Sequence, residues 1–316
     1  MEPIIVVDEL SKRYKSAKIN AVDAVSFSVA SGEFFALLGP NGAGKTPTIS
    51  VLTTMLLPTS GKVTIAGYDV VADAGAVRQN VGIIFQKPSL DLNLTAEENV
   101  RFHAVLYGLY PFRPTFSGMP REYRDRVKEL AAVVGIENEL FNKMKTFSGG
   151  MKRKLEIVRG LIHQPKVLFL DEPTTGLDPA SRRSLWDYLT SVRTARGTTV
   201  FLTTHYLEEA ETADTICVVN KGTVVALGTP DQLKSTLARE YVDIDADDRD
   251  ALRQELARLA IASEGDGPFR IPVEPGQVHQ MLRDIATPLT TIQTHAPTLE
   301  DAYLAIVTRT AEDEDQ

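Results

Sequence analysis

The chain of 316 residues carries one cysteine, Cys217, so no disulfide can form within it. Cys217 lies in the apolar run from Ile216 to Val219, where a buried structural thiol is expected. No apolar run reaches the length that spans a bilayer; if the chain serves a membrane, another polypeptide must supply the membrane part. An excess of basic charge is also missing. Lys and Arg number 34 against 42 Asp and Glu, leaving a net charge of −8, which argues against a nucleic-acid-binding surface as the main function. The opening Met-Glu-Pro-Ile-Ile-Val-Val-Asp has no basic segment followed by a long apolar stretch, so no signal peptide is expected. Internal repeats and low-complexity segments are absent. Hydrophobic residues make up 43% and charged residues 24%, the balance of a soluble globular chain long enough for one large domain and a small one.

The most informative stretch is 33–48. An apolar run, Phe34 to Leu38, reads as a buried strand and ends in Gly39-Pro40-Asn41-Gly42-Ala43-Gly44-Lys45-Thr46. This fits G-x-x-x-x-G-K-[ST] at every fixed position. Glycines let main-chain N–H groups converge on a phosphate chain, and the helix that follows aims its positive end at the same place. Lys45 suits the terminal phosphates and Thr46 suits Mg2+. The alternative is a Gly-rich strand–helix turn without a ligand. Pro47 departs from a comfortable site. It has no N–H, and it disfavours the helical conformation of Thr46 before it. In a first helical turn that N–H has no helical partner, but at a phosphate site the same orphan donors are the ligands.

Strands and helices alternate through most of the chain, which predicts an α/β fold with a largely parallel core. Residues 24–30 alternate as a half-exposed strand. Strands are expected at 62–66, 81–85, 167–170, 198–203, 215–219 and 223–227. Helices are expected after Thr46 and at 180–194 and 206–213. The stretch 94–160 reads as an all-helical insertion. Thr95-Ala-Glu-Glu98 has capping-box spacing, 108–120 is a loop with three prolines and two glycines, and Arg121 to Gly135 is an amphipathic helix. A further helix begins after Ser148-Gly149-Gly150. After about residue 238 the composition turns acidic, with five aspartates from Asp243 to Asp250. A small α+β unit follows, with helices at 251–259, 276–286 and 298–308 and strands at 269–273 and 289–294. The last six residues read as an acidic, disordered tail. The expected domains are 1–236, 237–309 and a tail at 310–316.

Asp171-Glu172, at the end of the apolar strand, is the second chemical element. Carboxylates downstream of a phosphate loop suit metal binding and activation of water, Asp171 for Mg2+ and Glu172 for the attacking water. The alternative is a pair of solvated strand-end carboxylates.

With these residues in place, the chain resembles the ATP-binding subunit of an ABC transporter. Phe147-Ser-Gly-Gly-Met151 is similar to the family's LSGGQ signature, with Phe for Leu and Met for Gln. Its glycines and serine at a helix N-terminus repeat the anion-site physics of the phosphate loop. Phe116-Ser-Gly-Met119 is a decoy without the second glycine. Gln86 resembles the Q-loop glutamine that contacts Mg2+ and senses the membrane partner; its alternative is an ordinary exposed amide. Asp178, in Gly176-Leu-Asp178, resembles the D-loop that crosses a dimer interface, or else forms a simple turn. His205, in Thr203-Thr-His205, resembles the switch histidine at the γ-phosphate, with a structural histidine after a strand as its alternative. Tyr14 resembles the aromatic that stacks on adenine, with ordinary packing as its alternative.

The resemblance covers residues 4–230. It implies a P-loop NTPase cassette with a helical subdomain, followed by a small C-terminal α+β domain. It implies ATP and Mg2+, catalysis by Glu172, His205, Lys45 and Gln86, and Mg2+ ligation by Thr46, Gln86 and Asp171. Nucleotide contacts fall to residues 39–47, Tyr14, and Ser148, Gly149, Gly150 and Asp178 across a head-to-tail dimer. The implied partners are transmembrane permease chains and a second ATP-binding subunit, identical or paired, with no nucleic acid. The implied location is the cytoplasmic face of the cell membrane, as a peripheral protein. The signature variant and Pro297-Thr-Leu-Glu-Asp-Ala-Tyr-Leu304 resemble the daunorubicin-resistance type of exporter ATPase. The alternative is a non-transport or regulatory ABC ATPase with nucleotide binding weakened by Pro47, because the family usually has Thr or Ser there. The C-terminal unit has no catalytic constellation and is expected to add dimer contact or regulation. The loop at 108–120, longer than usual for the family, is expected to be solvated.

Overall fold

The computed structural model describes residues 3–86, 89–237, 240–273, 277–295 and 298–312. They divide into two compact units between Leu227 and Gly228. The first begins with β1 (Pro3–Lys12), β2 (Val22–Ala30), β3 (Phe34–Leu38), α1 (Lys45–Leu52), β4 (Ser60–Ile65), β5 (Tyr68–Asp69), α2 (Ala74–Asn80) and β6 (Val81–Ile84). Three helices follow: α3 (Ala96–Leu106), α4 (Arg121–Val133) and α5 (Gly149–Leu161). The unit closes with β7 (Val167–Asp171), α6 (Pro179–Arg196), β8 (Thr199–Thr204), α7 (Leu207–Ala210), β9 (Thr215–Asn220) and β10 (Thr223–Gly228).

Two sheets make this unit. β2, β1, β4 and β5 form an antiparallel sheet, and six strands form a second in the order β10-β9-β3-β8-β7-β6. In the second sheet β3 runs parallel to β8 and β9, and β7 runs parallel to β6 and β8. Every residue of β3, β7 and β8 is buried, as expected of parallel strands covered on both faces. The two sheets meet through aromatic rings. Phe27 of β2 stacks on Phe35 at 5.1 Å, and Phe201 lies 5.2 Å from both Phe35 and Phe169, distances at which offset rings attract.

Parallel register decides where the chemistry lies. Leu38 pairs with Thr204, Asp171 with Thr203, and Ile84 with Leu170. The C-terminal ends of β3, β6, β7 and β8 therefore share one edge, where open α/β sheets bind ligands. Gly39, Gln86, Glu172 and His205 each follow one of these ends.

The helical insertion is pinned by its own caps. Thr95 and Glu98 form the expected capping box at α3. The loop 108–120 is only partly solvated. Residues 111–115 are exposed, but Tyr110 packs edge-on against Tyr123, Arg101 donates to the Arg113 carbonyl at 2.9 Å, and Met119 is buried. Its decoy motif is a 3-10 turn, Phe116–Gly118, whose phenyl packs 5.3 Å from Phe141.

The second unit holds α8 (Pro230–Leu237), β11 (Glu240–Asp245), α9 (Arg249–Arg258), β12 (Phe269–Val273), α10 (Val278–Asp284), β13 (Thr291–His295) and α11 (Leu299–Glu312). Its sheet, β12-β11-β13, is antiparallel around Val242, Ile244, Leu252, Leu256, Phe269 and Ile271. Two expectations change. The boundary expected at 236 falls at 227 because α8 packs against α11. The acidic run from Asp243 opens with the tail of the central strand, since Val242 and Ile244 point into the core while Asp243 and Asp245 alternate outward. Of the expected acidic tail, Glu312 is the last residue of α11, and 313–316 and Pro297 lie outside the described residues.

Candidate active site

The phosphate-type loop runs from Gly39 to Gly44 between β3 and α1. Two of its glycines are required by space. A Cβ at Gly39 would sit 2.3 Å from the Val219 carbonyl, and one at Gly44, where φ is 102°, would sit 2.5 Å from the Ala21 carbonyl. Lys45 opens α1 but folds back, its ammonium donating to the carbonyls of Gly39 at 2.7 Å and Pro40 at 3.0 Å. Burial lowers its pKa, opposed by the carboxylates of Glu172 and Asp171. Asn41, Gly42 and Thr46 are exposed, whereas Ala43 is buried in the core. Pro47 occupies the third helical position, and Thr46 is helical despite preceding it. The helical ladder starts one residue later, at Thr48 N–H to Gly44 C=O, 3.0 Å.

Across the sheet edge, Glu172 is the hub. Its backbone is left-handed, with φ 45°, a conformation that costs a non-glycine residue about 1–2 kcal/mol. The turn is held by its N–H donating to the Thr203 carbonyl at 3.0 Å. One carboxylate oxygen accepts from the Gln86 amide at 2.9 Å. The other lies 3.2 Å from His205 Nδ1 and 3.7 Å from Lys45 Nζ. Three residues predicted from separate loops thus converge on one buried glutamate. Asp171, beside it, is buried; its carboxylate accepts from Thr203 Oγ1 at 2.6 Å, and burial raises its pKa despite that bond.

The turn carrying His205 has a brace that sequence reasoning missed. Glu209 is buried, and its carboxylate accepts from the hydroxyls of Thr174 and, at 2.7 Å, Thr204. One side chain thereby ties the residue before His205 to the segment after Glu172. In sequence, a glutamate in the first turn of a short helix reads as a dipole complement, and nothing marks it as buried. Tyr206 packs on the His205 ring at 4.0 Å, and the Arg182 guanidinium lies over the Tyr206 ring, 5.3 Å from its centroid.

The remaining predicted residues form a second group. Ser148 caps α5, its hydroxyl accepting from the Met151 N–H at 3.2 Å, while Phe147 is buried. Asp178 caps α6, accepting from the Ser181 N–H at 3.0 Å and from the Ser181 hydroxyl at 2.6 Å. Gly150 lies against Ser181, so close that a Cβ would sit 2.7 Å from its hydroxyl. Gly149 has open space where a Cβ would be. The signature-like and D-loop-like turns are therefore neighbours, and no described hydrogen bond joins them to Lys45 or Glu172. Tyr14 joins neither group by a described contact. It is exposed, and Lys12 lies 5.8 Å from its ring centroid.

Known proteins resemble this chain over most of its length. The family model described as ABC transporter matches residues 22–175. The chain is 35% identical to the doxorubicin resistance ATP-binding protein DrrA of Mycobacterium tuberculosis over 96% of this chain and 93% of that protein. It is 36% identical to the Nod factor export ATP-binding protein I of Ralstonia nicotianae over 98% and 96%. Among solved structures, the ATP-binding cassette MJ0796, a dimer in a post-hydrolysis state bound to ADP and Pi, matches with a TM-score of 0.63 at 27% identity. That match covers 71% of this chain and 98% of that one. A Gly-rich loop, an apolar strand ending in two carboxylates and a histidine turn thus share one sheet edge in a chain that belongs to the ATP-binding subunits of ABC transporters.

Proposed function

We propose that this subunit powers export across a membrane, working as a head-to-tail dimer on the cytoplasmic face of the cell membrane with separate transmembrane permease chains. The family assignment, the export named for the Ralstonia relative and the resistance named for the Mycobacterium relative support that direction. No described helix is long and apolar enough to cross a membrane, so a permease is assigned to other chains.

The observation that carries the mechanism is the convergence of Lys45, Gln86 and His205 on Glu172. Lys45 and the main-chain N–H groups of the 39–46 loop hold the phosphates of ATP. Thr46, Gln86 and Asp171 would hold Mg2+, whose chemistry is to neutralise charge on the phosphate oxygens. Their donors are all oxygens, as a hard cation requires. Among the described residues no three His, Cys, Asp or Glu side chains cluster as a metal site; Mg2+ sites commonly use one or two carboxylates and complete the shell with phosphate and water. Glu172 orients and polarises the attacking water, and His205 faces the γ-phosphate. Ser148, Gly149, Gly150 and Asp178, grouped apart from this cluster, serve the nucleotide of the opposite subunit and exclude water on closure.

Glu172→Gln tests the assignment. Hydrolysis should fall about 10²–10⁴-fold, the range for a positioned base, while ATP affinity stays within about twofold and an ATP-dependent dimer accumulates in light scattering. Retained turnover would remove Glu172 from the chemistry. The C-terminal unit adds dimer contact or regulation in this reading. Deleting 228–316 should then change the dimerisation constant or the ATPase rate, and a chain unchanged in both would reject that role.

A further inference from the structure

We propose that Arg153 is a positioning residue for hydrolysis, a rigid strut that sets the Gln86–Glu172 pair from the helix that bears the signature-like turn. The inference rests on the roles proposed above for Gln86 and Glu172. Arg153 lies on α5, five residues beyond the capping Ser148, and is buried. Its guanidinium donates through Nε to the Pro173 carbonyl at 2.7 Å and through Nη1 to the Phe85 carbonyl. Pro173 is the residue after Glu172, and Phe85 the residue before Gln86. One planar group therefore grips the main chain next to both members of the pair, whose own side chains meet at 2.9 Å.

The strut is itself anchored. Glu156, one turn along α5 and almost completely buried, pairs with Arg153 at 2.9 Å and accepts from the Ser89 N–H at 3.0 Å. Arg159, a turn further, donates to the Ser89 carbonyl and hydroxyl, both at 2.6 Å. Thus α5 holds the chain at Phe85 and again at Ser89. Burying Arg153 and Glu156 and half-burying Arg159 is a poor way to gain stability, because desolvation offsets the attraction. The arrangement is a good way to fix geometry, because the guanidinium fork directs several donors at once, and an ammonium on a flexible stem does not. A shift of α5 that moved Ser148–Gly150 would carry Phe85 and Pro173 with it.

Arg153→Lys tests this in a double-mutant cycle with Gln86→Ala, with Glu172→Gln as a control on the underlying roles. In the otherwise native chain we expect kcat to drop about tenfold with ATP affinity within about twofold. In the Gln86→Ala background the same change should cost less than about twofold, because the geometry it guards is already lost. Amide exchange, followed by mass spectrometry, should quicken in the peptides carrying Phe85–Gln86 and Glu172–Pro173 and stay unchanged in β8. If Arg153→Lys misfolds, Glu156→Gln takes its place in the same cycle. Equal losses in both backgrounds, or unaltered exchange at both segments, would overturn the proposal. If Glu172→Gln keeps full turnover, the catalytic reading fails first. If it abolishes turnover while Arg153→Lys leaves kcat untouched, the strut alone fails.

Discussion

Pro47 acts differently on the helix and on the ligand. As the third residue of α1 it costs no helical bond, because the ladder begins with Thr48. In the proposed ATP site the missing N–H is a donor to an anion, and a hydrogen bond to a charged acceptor is worth about 1.5–3 kcal/mol. Pro47→Thr should therefore tighten ATP binding by about one to two powers of ten, read as a dissociation constant with a fluorescent nucleotide. An unchanged constant would mean that the loop's other donors already saturate the phosphate. Glu172 shows the same economy of means. Its left-handed turn holds it where Lys45, Gln86 and His205 reach the same carboxylate.

Elements in the helical insertion carry their own pH signature. The His103 ring on α3 lies tilted, 4.3 Å from Tyr107, which lies 4.8 Å from His163. Burial, with Arg159 and His163 nearby, pushes His103 down to about 3, and burial lowers His163 as well. An unfolded imidazole takes its proton near 6.5. Between these values the unfolded chain binds more protons than the folded one, so stability falls as pH drops from about 6.5 toward about 3. Nε2 of His103 has no hydrogen-bond partner among the described residues. His103→Phe should accordingly keep the melting temperature near pH 7.5 and flatten its decline between about pH 6.5 and 4. A melting curve as steep as that of the native chain would place the acid sensitivity elsewhere.

For the molecule as a whole, the second of the two compact units has its own core around Val242, Ile244 and Phe269. Residues 228–316 expressed alone should therefore melt cooperatively. Glu255 is its main polar anchor. The Thr287 hydroxyl at 2.6 Å and the N–H groups of Thr287 and Ala286 hold its carboxylate down to about 2. A carboxylate lowered in the folded state stabilises above its unfolded pKa and loses that effect as pH falls through the folded one. The isolated unit should thus lose stability between about pH 4.5 and pH 2, followed by circular dichroism. Glu255→Gln should lower its melting temperature at neutral pH and shrink that acid transition.

Local order made the first unit legible. The runs Phe34–Leu38 and Val167–Leu170 read as covered strands, the spacing of Gly39, Gly44, Lys45 and Thr46 fits a phosphate loop, and Thr95 and Glu98 cap a helix within four residues of chain. Periodicity failed at β11, because an outward Asp at every second position looks like a solvated run until Val242 and Ile244 find a core to face. Burial of charge was equally invisible: nothing in the order of residues marks Arg153, Glu156 or Glu209 as buried. The linear order of residues thus determined which chemical groups this protein owns. Only the packed chain decided which of them meet, because parallel register brings four strand ends together, and long-range packing sets the solvation of every charge.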